Sequence, residues 1–195
     1  MDVKAFIPLK LNFLDKETHY KLFKWVKNDL FYEPATIVGR QSEQKVHQEV
    51  RKVKECGINN NTDLVSEKSY TSIFWYNFLV NKFLFFVQEF FQKNNMPVQQ
   101  YDSNMEITIL KYEKTDHYIH HIDYHASTPR HLSFSYILND DFEGGDLEFH
   151  LARNEVLRLP AEANSCVMFP SNFMFPHKVT EIKKGVRYVI VGWMR

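Results

Sequence analysis

The sequence predicts an α+β fold, mainly β, in which N-terminal helices buttress a jelly-roll barrel formed by the C-terminal half. Three observations predict this fold. Apolar residues recur at helical spacing over residues 16–30, and residues 71–93 form a long, almost wholly apolar run. From Glu106 onward, short apolar segments alternate with turn signals at near-regular spacing. About eight short strands of this kind favour two packed sheets closing into a barrel over an alternating α/β fold.

The N-terminal half is expected to supply two helices. Asp15 is a suitable N-cap for the first, residues 16–30, and Glu33-Pro34 ends it. The second, residues 71–93, is apolar except for one narrow stripe, so we expect it to lie mostly buried across a sheet. The polar residues of that stripe are Asn77, Asn81, Gln88 and Gln92.

Shorter segments surround the first helix. Residues 5–12 are expected to form an edge strand interrupted by Pro8, and residues 35–38 to begin another strand. From Arg40 to Lys68 the chain is polar and charged, which indicates a surface connection. Part of this segment, within residues 46–53, is expected to form a strand, and a lid or substrate-facing loop is the functional alternative to a plain connection.

The C-terminal half is expected to form the barrel. Over residues 131–138 apolar and polar residues alternate, which is typical of a half-buried strand, and Gly144-Gly145 marks a turn. The strands are predicted at residues 106–110, 119–124, 131–138, 146–150, 156–159, 166–169, 178–182 and 186–193.

The composition excludes several classes of protein. Lys and Arg number 24, as do Asp and Glu, so no basic excess indicates binding to nucleic acid or to an anionic membrane. Cys56 and Cys166 form no CxxC pair, which argues against a disulfide framework and a thiolate metal site. No secretory signal or membrane span is found, and we expect a cytoplasmic protein. The oligomeric state stays open.

A chain of 195 residues is most simply one domain, long enough to bury a substantial core. We expect residues 1–195 to form a single domain. Residues 1–100 would contribute the helical support and a variable loop, and residues 101–195 the barrel core with the functional site.

The candidate site begins with His121 and Asp123. On an extended strand, residues two apart leave the same face, so an imidazole and a carboxylate would stand side by side. They form two thirds of a 2-His-1-carboxylate iron site, and His177 is the best candidate for the second histidine. Arg187 follows ten positions later and could bind a carboxylate through two parallel hydrogen bonds. His120 is expected to face away from the site.

Four blocks in order resemble the prolyl 4-hydroxylase-like branch of the Fe(II)/2-oxoglutarate-dependent oxygenases, whose barrel is a double-stranded β-helix, or cupin-like jelly roll. The first resembles a Tyr-x-x-Gly-x-x-Tyr-x-x-His-x-Asp segment, and the second a Tyr-Leu-Asn…Phe-x-Gly-Gly-x-Leu-x-Phe signature. The third is a short Phe-Pro-Ser block, and the fourth resembles a His-x-Val…Gly-x-Arg segment. The blocks are Tyr112–Asp123, Tyr136–Phe149, Phe169–Ser171 and His177–Arg187.

The resemblance implies a role for each matching residue. His121, Asp123 and His177 would be the iron ligands, and Arg187 would bind the C5 carboxylate of 2-oxoglutarate. The implied cofactors are Fe(II), 2-oxoglutarate as cosubstrate, and ascorbate as a further candidate. The other residues implied to line the cosubstrate site are Tyr112, Leu147, Val191 and Trp193.

Two positions depart from the family pattern. Thr115 stands where the family often has glycine, so the loop before the metal strand is expected to differ in shape. Ile137 stands where some members carry a tyrosine that helps the arginine hold the cosubstrate, which leaves the second partner of the C5 carboxylate open.

The implied activity is hydroxylation of a peptidyl residue, with proline as one candidate, coupled to decarboxylation of 2-oxoglutarate to succinate and CO2. The partners would be O2 and a protein, peptide or small-molecule substrate. A hydroxylase of a free amino acid or another small molecule is the alternative. A nucleic-acid demethylase is less favoured, because that branch usually carries a second arginine where this chain has Trp193. A non-catalytic metal-binding barrel is disfavoured by the intact ligand set.

Overall fold

The computed structural model describes residues 2–38, 44–59, 67–97, 105–151 and 154–195. A short 3-10 helix spans Val3–Phe6, and two α-helices, α1 and α2, span Lys16–Asn28 and Glu67–Lys93. The strands of the described residues are β1 Leu9–Lys10, β2 Glu33–Pro34, β3 Ile37–Val38, β4 Gln44–Lys45, β5 Arg51–Lys52, β6 Lys54–Ile58, β7 Glu106–Tyr112, β8 His117–His121, β9 Leu132–Ile137, β10 Glu143–Gly144, β11 Leu147–His150, β12 Val156–Leu159, β13 Ser165–Pro170, β14 His177–Val179, β15 Ile182–Lys184 and β16 Arg187–Met194.

Two antiparallel sheets form the barrel. Within the described residues, the major sheet has the strand order β1-β13-β9-β16-β7-β6-β2, and the minor sheet the order β12-β11-β14-β8-β5. The short pairs β3-β4 and β10-β15 lie outside these two sheets. From β7 onward the chain passes back and forth between the major and minor sheets, which is the jelly-roll arrangement that the sequence predicted.

Both helices pack on the outer face of the major sheet. Strand alternation sends Ile190 and Gly192 of β16 toward the helices, and Ile190 joins one buried cluster with the apolar face of α2. Gly192 leaves room for Phe83 of α2, since a Cβ there would lie 3.0 Å from the Phe83 ring. Phe83 stacks on Phe134 of β9 at 4.6 Å between ring centroids.

The opposite face of the major sheet packs against the minor sheet. Along β16 the residues of this second face are Arg187, Val189, Val191 and Trp193. Val189 belongs to a separate apolar cluster between the sheets, together with Leu147 and Phe149 of β11. The functional site lies in this interior layer.

The helices confirm the sequence prediction closely. α1 begins after Asp15, whose carboxylate accepts a hydrogen bond from the Thr18 backbone N–H at 2.9 Å, and it ends two residues earlier than expected. α2 begins four residues before Thr71 and exposes the predicted polar stripe. No helix among the described residues is both long enough and apolar enough to span a membrane.

The strand predicted within residues 46–53 is present as the two-residue β5, but the surface connection predicted for the rest of Arg40 to Lys68 is wrong for residues 54–58, which form β6. β5 pairs with β8 at the edge of the minor sheet, and β6 pairs with β7 in the major sheet. The sequence does not indicate the full extent of these strands because each has one solvated side and carries polar residues. The apolar alternation of a buried strand is therefore missing. Residues 40–43 and 60–66 of this segment lie outside the described residues.

Two predicted strand boundaries are also wrong. The strand expected at residues 119–124 spans His117–His121, and its pairing with β14 contains a bulge between Tyr118 and His121. The bulge puts Tyr118 and His121 on one face although they are three residues apart. The strand expected at residues 178–182 is divided into β14 and β15, which belong to different sheets.

Candidate metal centre

Three side chains of the types that bind metals converge between β8 and β14. His121, the last residue of β8, lies directly opposite His177, the first residue of β14. Asp123 follows in a bend just beyond β8, with Oδ1 3.6 Å from His121 Nε2 and Oδ2 3.7 Å from His177 Nε2. The ligand atoms of the three residues all lie within 4.8 Å of one another. The sequence therefore identified the three residues that meet, although Asp123 does so from a bend rather than from a strand.

Both imidazoles present the same nitrogen to the carboxylate. His121 Nδ1 lies 2.8 Å from the Ile119 carbonyl oxygen, and His177 Nδ1 lies 3.1 Å from the Phe175 carbonyl oxygen. Because a carbonyl oxygen only accepts hydrogen bonds, Nδ1 carries a proton in each ring, and in the neutral imidazole this tautomer leaves the lone pair on Nε2. The cluster thus offers two imidazole nitrogens and one carboxylate, the donor set of non-haem iron(II) oxygenases.

Two serines support the carboxylate. The Ser133 hydroxyl donates to Asp123 Oδ2 at 2.7 Å, and Ser171 Oγ lies 2.7 Å from Ser133 Oγ. Hydrogen bonds of this kind orient a ligating carboxylate and tune its basicity. Sequence reasoning missed both residues. The alternation over residues 131–138 could have indicated Ser133, because it lies on the face opposite the apolar residues of that strand.

Electrostatics keep Asp123 and His177 in the protonation states that a metal requires. Burial raises the pKa of the Asp123 carboxyl, but the neighbouring imidazoles and the Ser133 hydroxyl lower it by more, so this pKa lies well below its usual range. Burial, helped by the nearby His121, lowers the pKa of His177 to about 4, against the opposing effect of Asp123. At neutral pH Asp123 is ionised and His177 is neutral.

A buried guanidinium lines the same cavity as the three ligand-type residues. Arg187, the first residue of β16, is only 1% exposed, and its Nε and Nη1 have no hydrogen-bond partner among the described residues. Its Cζ lies 5.1 Å from the centroid of the Tyr112 ring. Buried donors without partners are rare and costly, so this arrangement is suited to an anion that enters the cavity.

The structure brings every predicted lining residue to this cavity. Val191 and Trp193 share the interior face of β16 with Arg187, while Leu147 reaches the cavity from β11 and Tyr112 from β7. Ile137 belongs to the interior apolar cluster but does not line the cavity, whereas Ser135 of the same strand does. Ser135 is a further lining residue that sequence reasoning missed.

An open cleft of about 680 Å³ adjoins the cavity. Tyr118, Asp123 and Trp193 line both spaces. Along the cleft, Arg130 donates to both carboxylate oxygens of Glu106 at 3.2 and 2.6 Å, and its guanidinium lies 3.8 Å from the Trp193 ring centroid. This size is within the range of protein ligand sites, and the cleft leads from solvent to Asp123.

Two further expectations concern the strand that carries His121. His120 faces away from the cluster, as predicted, and its ring packs against His150 at 3.8 Å between centroids. Thr115 has φ of +72°, a backbone conformation that glycine adopts readily and a β-branched residue rarely does. The turn before β8 therefore takes a glycine-type conformation without a glycine.

The comparisons with known proteins agree with this geometry. Residues 107–195 match the model of the 2OG-Fe(II) oxygenase superfamily. A PKHD-type hydroxylase of Synechococcus sp. (strain CC9902) is 39% identical over 93 residues, which cover 45% of this chain and 40% of that relative. A PKHD-type hydroxylase of Prochlorococcus marinus (strain NATL2A) is 37% identical over 83 residues, or 40% of this chain and 36% of that relative. The chain thus spans about two fifths of the length of the curated relatives it matches.

Solved structures share the fold over almost the whole chain. A Pseudomonas putida prolyl-4-hydroxylase superposes with a TM-score of 0.70 at 20% identity, covering 97% of this chain and 92% of that one. A Trichoplax adhaerens prolyl hydroxylase, solved with a peptide fragment of the hypoxia inducible factor oxygen degradation domain, superposes with a TM-score of 0.72 at 18% identity. That alignment covers 97% of this chain and 83% of the Trichoplax chain.

Proposed function

We propose that this chain, whose residues 107–195 match the model of the 2OG-Fe(II) oxygenase superfamily, is an Fe(II)- and 2-oxoglutarate-dependent dioxygenase. One observation carries the proposal. The clustered ligand atoms of His121, Asp123 and His177 share a cavity with the buried guanidinium of Arg187, whose Nε and Nη1 find no partner in the part of the chain that the structure describes. The three ligands would hold the iron, and Arg187 would hold the distal carboxylate of 2-oxoglutarate.

Bound iron(II) would supply the oxidative decarboxylation of 2-oxoglutarate to succinate and CO2, coupled to transfer of one oxygen atom of O2 into a C–H bond. The protein's own contribution is binding, orientation and exclusion of water. Leu147 and Val191 would pack against the methylene groups of the cosubstrate. The Ser135 hydroxyl lines the cavity near Arg187, and we assign it as the second partner of the C5 carboxylate.

We propose a peptidyl substrate, with proline as the leading candidate residue. The open cleft beside Asp123 supports a peptide, because it extends along the surface from the cavity instead of enclosing a small molecule. The PKHD-type hydroxylases and the prolyl hydroxylases to which this chain is similar support the same class. A nucleic-acid substrate is disfavoured by the equal numbers of acidic and basic residues.

We propose further that residues 1–195 act as one oxygenase domain, in which residues 1–100 support the barrel core of residues 101–195. Strands of the N-terminal half join both sheets: β5 extends the minor sheet beside β8, and β6 extends the major sheet beside β7. The cleft is lined from both halves, by Glu55 of β6 and by Trp193 of β16.

The test is 2-oxoglutarate turnover by the purified chain with Fe(II) and air. We expect succinate, formed slowly without substrate and faster with a proline-containing peptide that gains one oxygen atom by mass spectrometry. His177→Ala is the matched control and should form no succinate. A wild-type protein that forms no succinate, and that gains no thermal stability from Fe(II) with 2-oxoglutarate, refutes the dioxygenase assignment. Oxygen addition to a free amino acid but to no peptide would replace the peptidyl substrate with the small-molecule alternative.

A further inference from the structure

A cation from the N-terminal half lies next to the proposed metal centre. Arg51 of β5 lines both the cavity and the cleft, and its side chain is 11% exposed. It belongs to the polar segment for which the sequence indicated a surface connection, and it lies outside the part of the chain that matches the superfamily. Nothing in the assignment of the triad or of Arg187 accounts for a second buried guanidinium here.

The guanidinium of Arg51 is held in one orientation. Nη1 donates to the Thr36 carbonyl oxygen at 2.7 Å, and Nη2 lies 2.9 Å from Glu55 Oε2. The other carboxylate oxygen of Glu55 accepts from the Thr36 backbone N–H at 3.2 Å, which closes a small network. Nε is buried and has no partner among the described residues. The burial of this nitrogen is therefore not compensated by a hydrogen bond.

Arg51 and His121 both contact the ring of Tyr118. The Arg51 Cζ lies 5.2 Å from the centroid of Tyr118, and the Tyr118 and His121 rings stack at 3.5 Å with 15° between their planes. Burial raises the pKa of Tyr118 to about 12, which keeps the phenol neutral. A neutral aromatic ring attracts a guanidinium and stacks with an imidazole, so Tyr118 can link the two groups.

The backbone places Arg51 and Tyr118 beside the proposed metal ligand His121. Arg51 and Tyr118 are paired residues of β5 and β8, and the Ile119 N–H donates to the Val50 carbonyl oxygen at 3.0 Å. The Ile119 carbonyl in turn accepts the Nδ1 proton of His121. Residues 50 and 51 therefore support His121 in two ways. Val50 holds Ile119, whose carbonyl fixes the tautomer of His121, and Arg51 contacts the ring that stacks on the imidazole.

We infer that Arg51 is a positioning residue for His121, acting through the ring of Tyr118. It holds Tyr118 against the imidazole, so that Nε2 of His121 stays directed at Asp123 when the metal binds. The inference rests on the proposed function, because it needs the triad to be a metal site. Lysine would not replace Arg51, since its ammonium group lacks the planar face and the two-pronged contact of a guanidinium.

The experiment is an anaerobic titration of the metal-free protein with Co(II), whose visible absorption reports both affinity and ligand geometry. Arg51→Ala should weaken Co(II) binding about tenfold, as supporting residues of metal ligands commonly do, and should change the Co(II) spectrum. Arg51→Lys should not restore either property. Lys52→Ala is the matched control, because Lys52 is the neighbouring residue of β5 and contacts Thr115 and Asp116 instead. It should bind Co(II) as the wild type does.

A double-mutant comparison tests the route through Tyr118. In a Tyr118→Leu protein, Arg51→Ala should cause no further loss of Co(II) affinity, because the ring that transmits its effect is absent. Additive losses would overturn the inference, as would an Arg51→Ala protein with wild-type affinity and spectrum. If Arg51→Ala does not fold, Arg51→Lys serves as the test variant, and wild-type behaviour of that variant overturns the inference. Wild-type protein that binds no Co(II), or binds it equally after His177→Ala, refutes the proposed function instead.

Discussion

Replacing Arg187 with methionine should separate the stability of this protein from its function. The guanidinium is buried, and among the described residues Nε and Nη1 have no hydrogen-bond partner, which is the arrangement that the proposed carboxylate site requires before its ligand arrives. Methionine fills a similar volume with apolar atoms and leaves no donor unsatisfied. We therefore expect Arg187→Met to be more stable than the wild type in the absence of 2-oxoglutarate.

The size of the effect follows from the two orphaned donors. Each buried polar group without a partner costs about 1–3 kcal/mol. The lost contact between the guanidinium and the Tyr112 ring offsets about 1 kcal/mol of the gain. The net expectation is a free energy of unfolding higher by about 2 kcal/mol, or a Tm higher by about 4–8 °C for a chain of this length.

The assay is thermal unfolding of both proteins with Mn(II), in the presence and absence of 2-oxoglutarate. Wild-type Tm should rise with 2-oxoglutarate, because the ligand binds only the folded state. Arg187→Met should show the higher Tm without ligand and no response to it, while it still responds to Mn(II). The reasoning is refuted if Arg187→Met is less stable than the wild type without ligand, since the guanidinium would then have stabilising partners in the free protein. A full 2-oxoglutarate response in the variant would remove Arg187 from the cosubstrate site.

Three further changes test other parts of the molecule. Ser133→Ala removes the hydrogen bond to Asp123 and should weaken Co(II) binding about 10- to 100-fold; an unchanged titration would show that this serine does not support the ligand. Thr115→Gly should raise the free energy of unfolding, measured in urea, by about 1 kcal/mol, because glycine adopts the positive φ of this residue without strain. A lower free energy of unfolding would show that Thr115 is not strained. Burial lowers the pKa of His19 from its usual 6.5, so the unfolded chain takes up this proton first as the pH falls. The stability that neutral His19 contributes is complete above pH 6.5 and is lost below it. The wild type should therefore lose more stability between pH 7.5 and 5.5 than His19→Gln does. Equal losses in the two proteins would exclude His19 as the cause.

The site residues could be predicted because their spacing carries geometric information. His121 and Asp123 are close in the chain, so few local conformations separate their side chains widely. Arg187, Val191 and Trp193 lie an even number of residues apart on one strand, and alternation alone puts them on the same face. The turn signals between the short strands similarly indicated a barrel of two sheets.

Other features depend on long-range pairing, which one sequence does not reveal. Ser171 reaches Ser133 only because the loop after β13 returns beside β9. β5 and β6 are edge or near-edge strands, and their solvated side chains remove the apolar pattern that identifies a buried strand. Arg51 could not be connected to His121 from sequence, since the link depends on the pairing of β5 with β8 and on the bulge at Tyr118.

The most direct measurement is a crystal structure of the protein grown anaerobically with Mn(II) and 2-oxoglutarate, with anomalous diffraction to locate the metal. We expect a Mn(II) ion bound by Nε2 of His121, Nε2 of His177 and the Asp123 carboxylate. The C5 carboxylate of 2-oxoglutarate should accept hydrogen bonds from Arg187. A metal bound elsewhere, or 2-oxoglutarate held without contact to Arg187, would contradict the proposed oxygenase site.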